Sequence, residues 1–230
     1  MLAGAHIRSS QSSSSHYASR LIELTTRNWI ERFVIAQRLC PWAQQVATED
    51  TMRVSVLEQF TQDGWRRSGR ESVDLVCAIL HEARSLAAPE SKGRTTLVVL
   101  PHFASFDCYL EVSSAVEETL QAEGVDADIQ VATFHPLYQF AGTHRDDAEN
   151  FSNRSPYPIV HLLRIDDVES AIKTYTKLKG PTDQIWEANI ASMQKAGGGV
   201  LASLLEEIKR ESAVQHRAME GKAEGEAEPR

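Results

Sequence analysis

Cysteine is scarce in this 230-residue chain: Cys40, Cys77 and Cys108 stand far apart with no CxxC pair, which argues against a disulfide framework and a cysteine-rich zinc site. A reducing compartment, cytoplasm or mitochondrial matrix, is the expectation. Positive charge is in deficit too, with 24 Lys plus Arg against 32 Asp plus Glu and a formal net charge of −8. No net basic field draws in a polyanion, so nucleic acid is not expected as a partner. Long apolar runs are also missing. TTLVVL at 95–100 falls far below the roughly 20 residues that cross a bilayer, so no membrane partner is expected. Phosphate-loop, dinucleotide-glycine, serine-elbow and HExxH patterns do not occur, which moves nucleotide-driven and lipase-like chemistry down the list.

What is present suffices for one globular core, since 42% of the residues are hydrophobic and the length suits one domain with extensions. Residues 1–19 read as a serine-rich disordered tail or a transit peptide, because the first 22 residues hold no acid and carry Arg8 and Arg20. Residues 20–196 read as a single α/β domain, 197–211 as a C-terminal helix, and 212–230 as a disordered tail with little to bury.

Inside the domain the apolar spacing switches between helical and strand periods. Ile22, Trp29, Ile30, Phe33 and Ala36 predict a first helix over about 20–39, stopped by Pro41. Residues 52–58 alternate as a half-buried strand, and 71–87 carry a wide helical stripe. TTLVVL reads as a central strand. Ser105 and Gly124 bracket a helix. Residues 128–134 and 158–164 give two more strands, expected to pair antiparallel, and Asp166 with Glu169 opens a helix to about 177. After Gly180-Pro181, two further helices read as a cover. The expected architecture is a mixed four-stranded sheet covered by helices with a C-terminal helical extension. A thioredoxin-like arrangement has this element order, although its cysteine would follow the first strand, whereas Cys40 precedes it.

Candidate chemistry concentrates between the last two strands, in FHPLYQFAGTHRDDAENFSNRSPYPIVHLLR at 134–164. A loop this long in a compact domain is functional or disordered, and this composition favours function. His135, at a strand's C-terminal edge, is a candidate base or ligand. With His161 and Asp147 it makes a two-histidine, one-carboxylate set that would suit a divalent metal. Arg154 and Arg164 are candidate clamps for a small anionic ligand. Tyr138, Asn150 and Asn153 complete the substrate-binding candidates, while Gly142 allows a bend and either X-Pro bond of SPYP is open to the cis form. Cys40, in RLCPWA, is the other catalytic candidate. Its place at a helix C-terminus disfavours a thiolate.

The segments RLCPWA, FHPLYQFAGT, DDAENFSNRSPYP and HLLR resemble an uncharacterised, mostly bacterial protein family, domain of unknown function 1415. The resemblance covers about residues 22–195, with Trp42 where the family usually has phenylalanine. It implies that Cys40, Pro41, His135, Pro136, Tyr138, Gly142, Asp147, Asn150, Asn153, Arg154, Pro156, Pro158 and His161 belong to the family's motifs, and it carries no activity. Expected functions are therefore an enzyme acting on a small anionic metabolite through His/Asp/Arg acid-base or metal-assisted chemistry, a thiol-based oxidoreductase or transferase using Cys40, or a non-catalytic metabolite- or protein-binding module.

Overall fold

A computed structural model describes the backbone of residues 5–226 apart from 68 and 180–182, and the side chains of 16–220 apart from 68 and 178–185. The Gly180-Pro181 break and the extremes of both expected tails lie outside the described residues. Helix α1 (Ala5–Trp29) passes into a π-helical turn at Ile30–Ile35, followed by the short α2 (Ala43–Thr48). Strand β1 (Met52–Val56), α3 (Gln62–Arg67), α4 (Gly69–Ala87) and β2 (Thr95–Val99) come next. Helix α5 (Phe106–Ala122) starts at an Ser105 N-cap whose hydroxyl accepts the Cys108 N–H at 3.3 Å, as its sequence position predicts. Strand β3 (Ile129–Phe134), a 3-10 stretch at Ala148–Asn153, β4 (Ile159–Arg164), α6 (Ile165–Lys179), α7 (Asp183–Ala196) and α8 (Gly198–Glu226) complete the order.

The four strands form one mixed sheet in the order β1-β2-β4-β3. β1 runs parallel to β2, and β4 runs antiparallel to both β2 and β3. The expected α/β class and the antiparallel final pair are both present. Strand β4 lies between β2 and β3, so β2 and β4 are central, as their apolar sequences require. Pleat alternation sends Val98, Val160 and Leu162 toward α4 and α5, where they meet Leu75, Ile79, Val112 and Val116. Leu97, Val99 and Ile159 face the other way, toward Trp29, Phe33, Met193 and Leu205. The sheet is thus buried on both faces.

Two expectations at the ends differ from the structure. Helix α1 begins at Ala5, within the stretch read as a tail, and α8 runs on past residue 211. From Tyr17 on α1 through Arg32 in its π-helical continuation, and from Glu207 to His216 on α8, the two helices pack on each other. Asn28 Nδ2 donates to Ser212 Oγ at 2.9 Å, Arg32 pairs with Glu207 and Glu211 at 3.0 and 2.6 Å, and Tyr17 meets the buried His216 edge-on. Among the described residues, no helix is long and apolar enough to cross a membrane.

Candidate functional site

Most polar side chains of the 134–164 loop are consumed in building the loop itself. His135 is completely buried. Its Nδ1 accepts the Leu137 N–H at 3.0 Å, so the proton sits on Nε2, which donates to the Phe103 carbonyl at 3.0 Å. Burial lowers its pKa, with the Phe103 carbonyl acting in the opposite sense. Both ring nitrogens are therefore spent, and the role of general base expected for His135 gives way to that of a neutral turn-former.

His161 sits in mid-β4 between Leu97 and Ala132. Its Nε2 lies 2.6 Å from Thr95 Oγ1, whose hydroxyl donates to the Leu162 carbonyl at 2.9 Å. The histidine must then supply the proton of the shorter bond. Burial pushes its pKa down to about 4, so the ring is neutral. The expected pairing of His135 with His161 fails on pleat geometry. His161 shares the α1 face with Phe134, and His135, one residue beyond Phe134, turns toward Phe106 and Tyr109 on the α5 side.

Asp147 does not join them. Its Oδ2 accepts the His144 N–H at 2.7 Å and closes a turn. The set His135, His161 and Asp147 is therefore not assembled, and among the described residues no group of three or more His, Cys, Asp or Glu is placed to hold a metal ion.

Asn150, also fully buried, accepts from the Phe140 N–H and Thr143 Oγ1 at 2.9 Å each and donates to the His144 carbonyl at 2.8 Å. It ties the bend that Gly142 makes at φ 79°. Arg154 donates to the Tyr138 and Arg145 carbonyls at 3.2 and 2.5 Å, with its guanidinium over the Phe151 ring. Arg164 donates to the Leu86 and Ala88 carbonyls at 2.6 and 3.0 Å and pairs with Asp167 at 3.3 Å. Both arginines are engaged with the protein, so the anion clamp expected of them is not formed. Tyr138 packs between Phe106 and Phe140. Both X-Pro bonds of SPYP are trans.

Cys40 is differently placed. The π-helical turn, closed by a Leu39 N–H to Val34 carbonyl bond at 2.9 Å, and Arg38 at φ 58° deliver it to the start of α2. Burial raises its pKa, with the nearby backbone N–H groups of Trp42 and Ala43 acting in the opposite sense. The expectation of a helix C-terminal environment needs correction. A new helix begins at Ala43, whose N–H donates to the Cys40 carbonyl at 3.3 Å, so Cys40 leads into a helix rather than ending one.

The thiol and the loop meet at a cavity of about 630 Å³. Three segments distant in sequence build it: the π turn with Cys40, the loop from Phe134 to Asn153, and α6 with α7. Trp42, Phe134, Phe140 and Trp186 supply aromatic wall, and Trp186 is 65% exposed. Cys40, Thr143, Glu149, Ser152, Asn153 and Asn189 are the polar lining. Asn153 Nδ2 donates to the Thr133 carbonyl at 3.1 Å, and its Oδ1 accepts from Ser152 at 3.0 Å. Asn189 Nδ2 donates to the Leu39 carbonyl at 2.9 Å, and Glu149 Oε2 accepts from Gln194 at 3.2 Å. Among the described lining residues Glu149 is the one charged group.

Of the residues read from the sequence as functional, Cys40 and Asn153 line this cavity. Glu149, Trp186 and Asn189 were not singled out. Glu149 lies inside the DDAENFSN block that carries the resemblance, which is a usable signal; Trp186 and Asn189 have none beyond their helix.

A model of the family described as a protein of unknown function, DUF1415, matches residues 21–202. The chain belongs to that family. No curated protein and no solved structure matches it.

Proposed function

We propose that this protein is a small-molecule enzyme working through the cavity at Cys40, with that thiol as its reacting group. The observation that carries the reading is the meeting of Cys40 with the polar loop on one aromatic-walled cavity, the usual form of a small-molecule site. Acid-base chemistry by His135, His161 and Asp147 is not proposed, since their polar atoms hold the fold together.

Group transfer is favoured over disulfide chemistry. Cys77 is exposed on α4 and Cys108 is buried in the first turn of α5, and neither lines the cavity as a resolving thiol. In the step this reading requires, Cys40 Sγ bonds to an electrophilic carbon of the ligand and the displaced group departs with the thiol proton. The nearby Trp42 and Ala43 N–H groups offset part of the burial that disfavours charge on the sulfur. Three free, scattered cysteines fit a reducing compartment, cytoplasm or mitochondrial matrix. The second reading, a binding module without chemistry, draws on the burial that keeps Cys40 protonated at rest.

Alkylation kinetics separate the two. Benzyl chloroacetamide and plain chloroacetamide are compared at Cys40 and at the exposed Cys77 by peptide-resolved mass spectrometry. The enzyme reading expects saturable alkylation of Cys40 by the ring-bearing reagent, at least about tenfold faster than at Cys77, a margin of about 1.4 kcal/mol in barrier. Unreactive Cys40 in a protein that still binds aromatic fragments identifies the binding module instead.

A further inference from the structure

The lining of the cavity selects by charge as well as by shape. Its one charged side chain is a carboxylate, Glu149, and no Lys, Arg or His is among the described lining residues. Glu149 Oε2 is held by Gln194, while Oε1 takes no hydrogen bond from the described residues. Asn189 spends an N–H on the Leu39 carbonyl and leaves its Oδ1 without a donor among them. Two oxygen acceptors on lining residues are therefore without a donor among the described residues, beside the ring faces of Trp42, Phe134, Phe140 and Trp186.

Aromatic faces and a carboxylate both attract a cation. The same groups repel an anion, and Arg154, which follows the lining residue Asn153, does not line the cavity and is committed to two carbonyls and a phenylalanine ring. The chain's formal charge of −8 adds a field of the same sign at longer range. We infer that the cavity takes a ligand with an apolar, ring-sized body and a protonated nitrogen, the nitrogen seated against Glu149 and Asn189 and the body among Trp42, Phe140 and Trp186. This rests on the Cys40 cavity being the site, and it replaces the anionic metabolite expected from the sequence.

The test holds the body constant and changes the head. Phenethylamine, phenethyl alcohol and phenylpropionate are titrated separately against the alkylation of Cys40 by iodoacetamide, in the wild-type chain and in Glu149→Gln. The amine is expected to protect Cys40 at concentrations about tenfold below the alcohol, with the carboxylate weakest. Glu149→Gln is expected to abolish the amine's advantage and leave protection by the alcohol unchanged, which also shows that the variant is folded. A carboxylate that protects as well as the amine, or an amine indifferent to Glu149→Gln, overturns the ligand class while leaving the cavity as a site. Failure of all three compounds to protect Cys40 overturns the cavity reading itself, and the ligand class falls with it.

Discussion

A histidine's value to a fold can be read from where its two nitrogens go, and in this chain both catalytic candidates are occupied. Replacing His135 by alanine removes a fully buried ring, two hydrogen bonds and aromatic contacts to Phe106 and Tyr109. It is expected to cost about 2–4 kcal/mol in urea unfolding, with Cys40 alkylation unchanged in whatever fraction stays folded. For His161 the consequence is a pH dependence. Its pKa falls from the ordinary histidine value near 6.5 to about 4 on folding, so the unfolded chain takes up the proton first as pH drops. Stability should therefore be full above pH 6.5 and decline toward pH 4. The decline is of the order of 3 kcal/mol, and His161→Leu should remove most of it. Equilibrium unfolding at a series of pH values checks the slope in both proteins. At this scale the sequence is ambiguous for a physical reason: a long loop must satisfy its own backbone groups, and Asp147, Asn150, Arg154 and His135 bond to them here. Chemistry and loop architecture draw on the same residue types.

Among the elements, the strands and most helices were legible because period and caps are local. Ser105 caps α5, and α4 is a helix where its spacing places one, although its buried face runs through Leu75, Ile79, Ala83 and Leu86 while Val73 and Cys77 of the expected stripe are exposed. What local pattern cannot supply is a partner. The insertion of β4 between β2 and β3, and the docking of α8 on α1, depend on contacts such as Asn28 to Ser212, far apart in the chain. The serine-rich composition of early α1 and the Glu/Ala/Lys/Gly composition of late α8 pointed to tails, yet both are helical, and the two helices meet through Tyr17, Asn28 and Arg32 on one side and Glu207 to His216 on the other. The helix break near Cys40 was visible in Pro41, but the restart at Ala43 was not, and that restart changes the electrostatics of the thiol. The N-terminus of α8 supplies a sharper contrast. A Cβ on Gly198 would lie 3.0 Å from the Asp146 carbonyl oxygen and 3.5 Å from Phe151, whereas Gly199 has open space. Gly198→Ala should destabilise by about 1 kcal/mol through that crowding. Gly199→Ala should be neutral or stabilising by up to about 1 kcal/mol from helix propensity. Paired urea melts decide it, and equal effects at both positions would refute the close approach of α8 to the loop.

For the whole molecule, the sheet divides the protein into two differently used halves. The α4 and α5 side is core, completed by His135 and Tyr109. The α1, α7 and α8 side holds the cavity, where segments near residues 40, 150 and 190 converge. No window of sequence contains that site, because each segment brings only a few residues. The resemblance placed Cys40 and the loop in one motif set, and their shared cavity gives that grouping a spatial sense. On the reading proposed above, the loop's histidines and arginines hold the fold while Cys40 and the cavity do the chemistry. A crystal structure of the adduct formed with benzyl chloroacetamide decides it. The predicted result is a single modification at Cys40 with the benzyl ring enclosed by Trp42, Phe140 and Trp186. An adduct confined to Cys77, or a Cys40 adduct whose ring projects into solvent past a closed cavity, would contradict it.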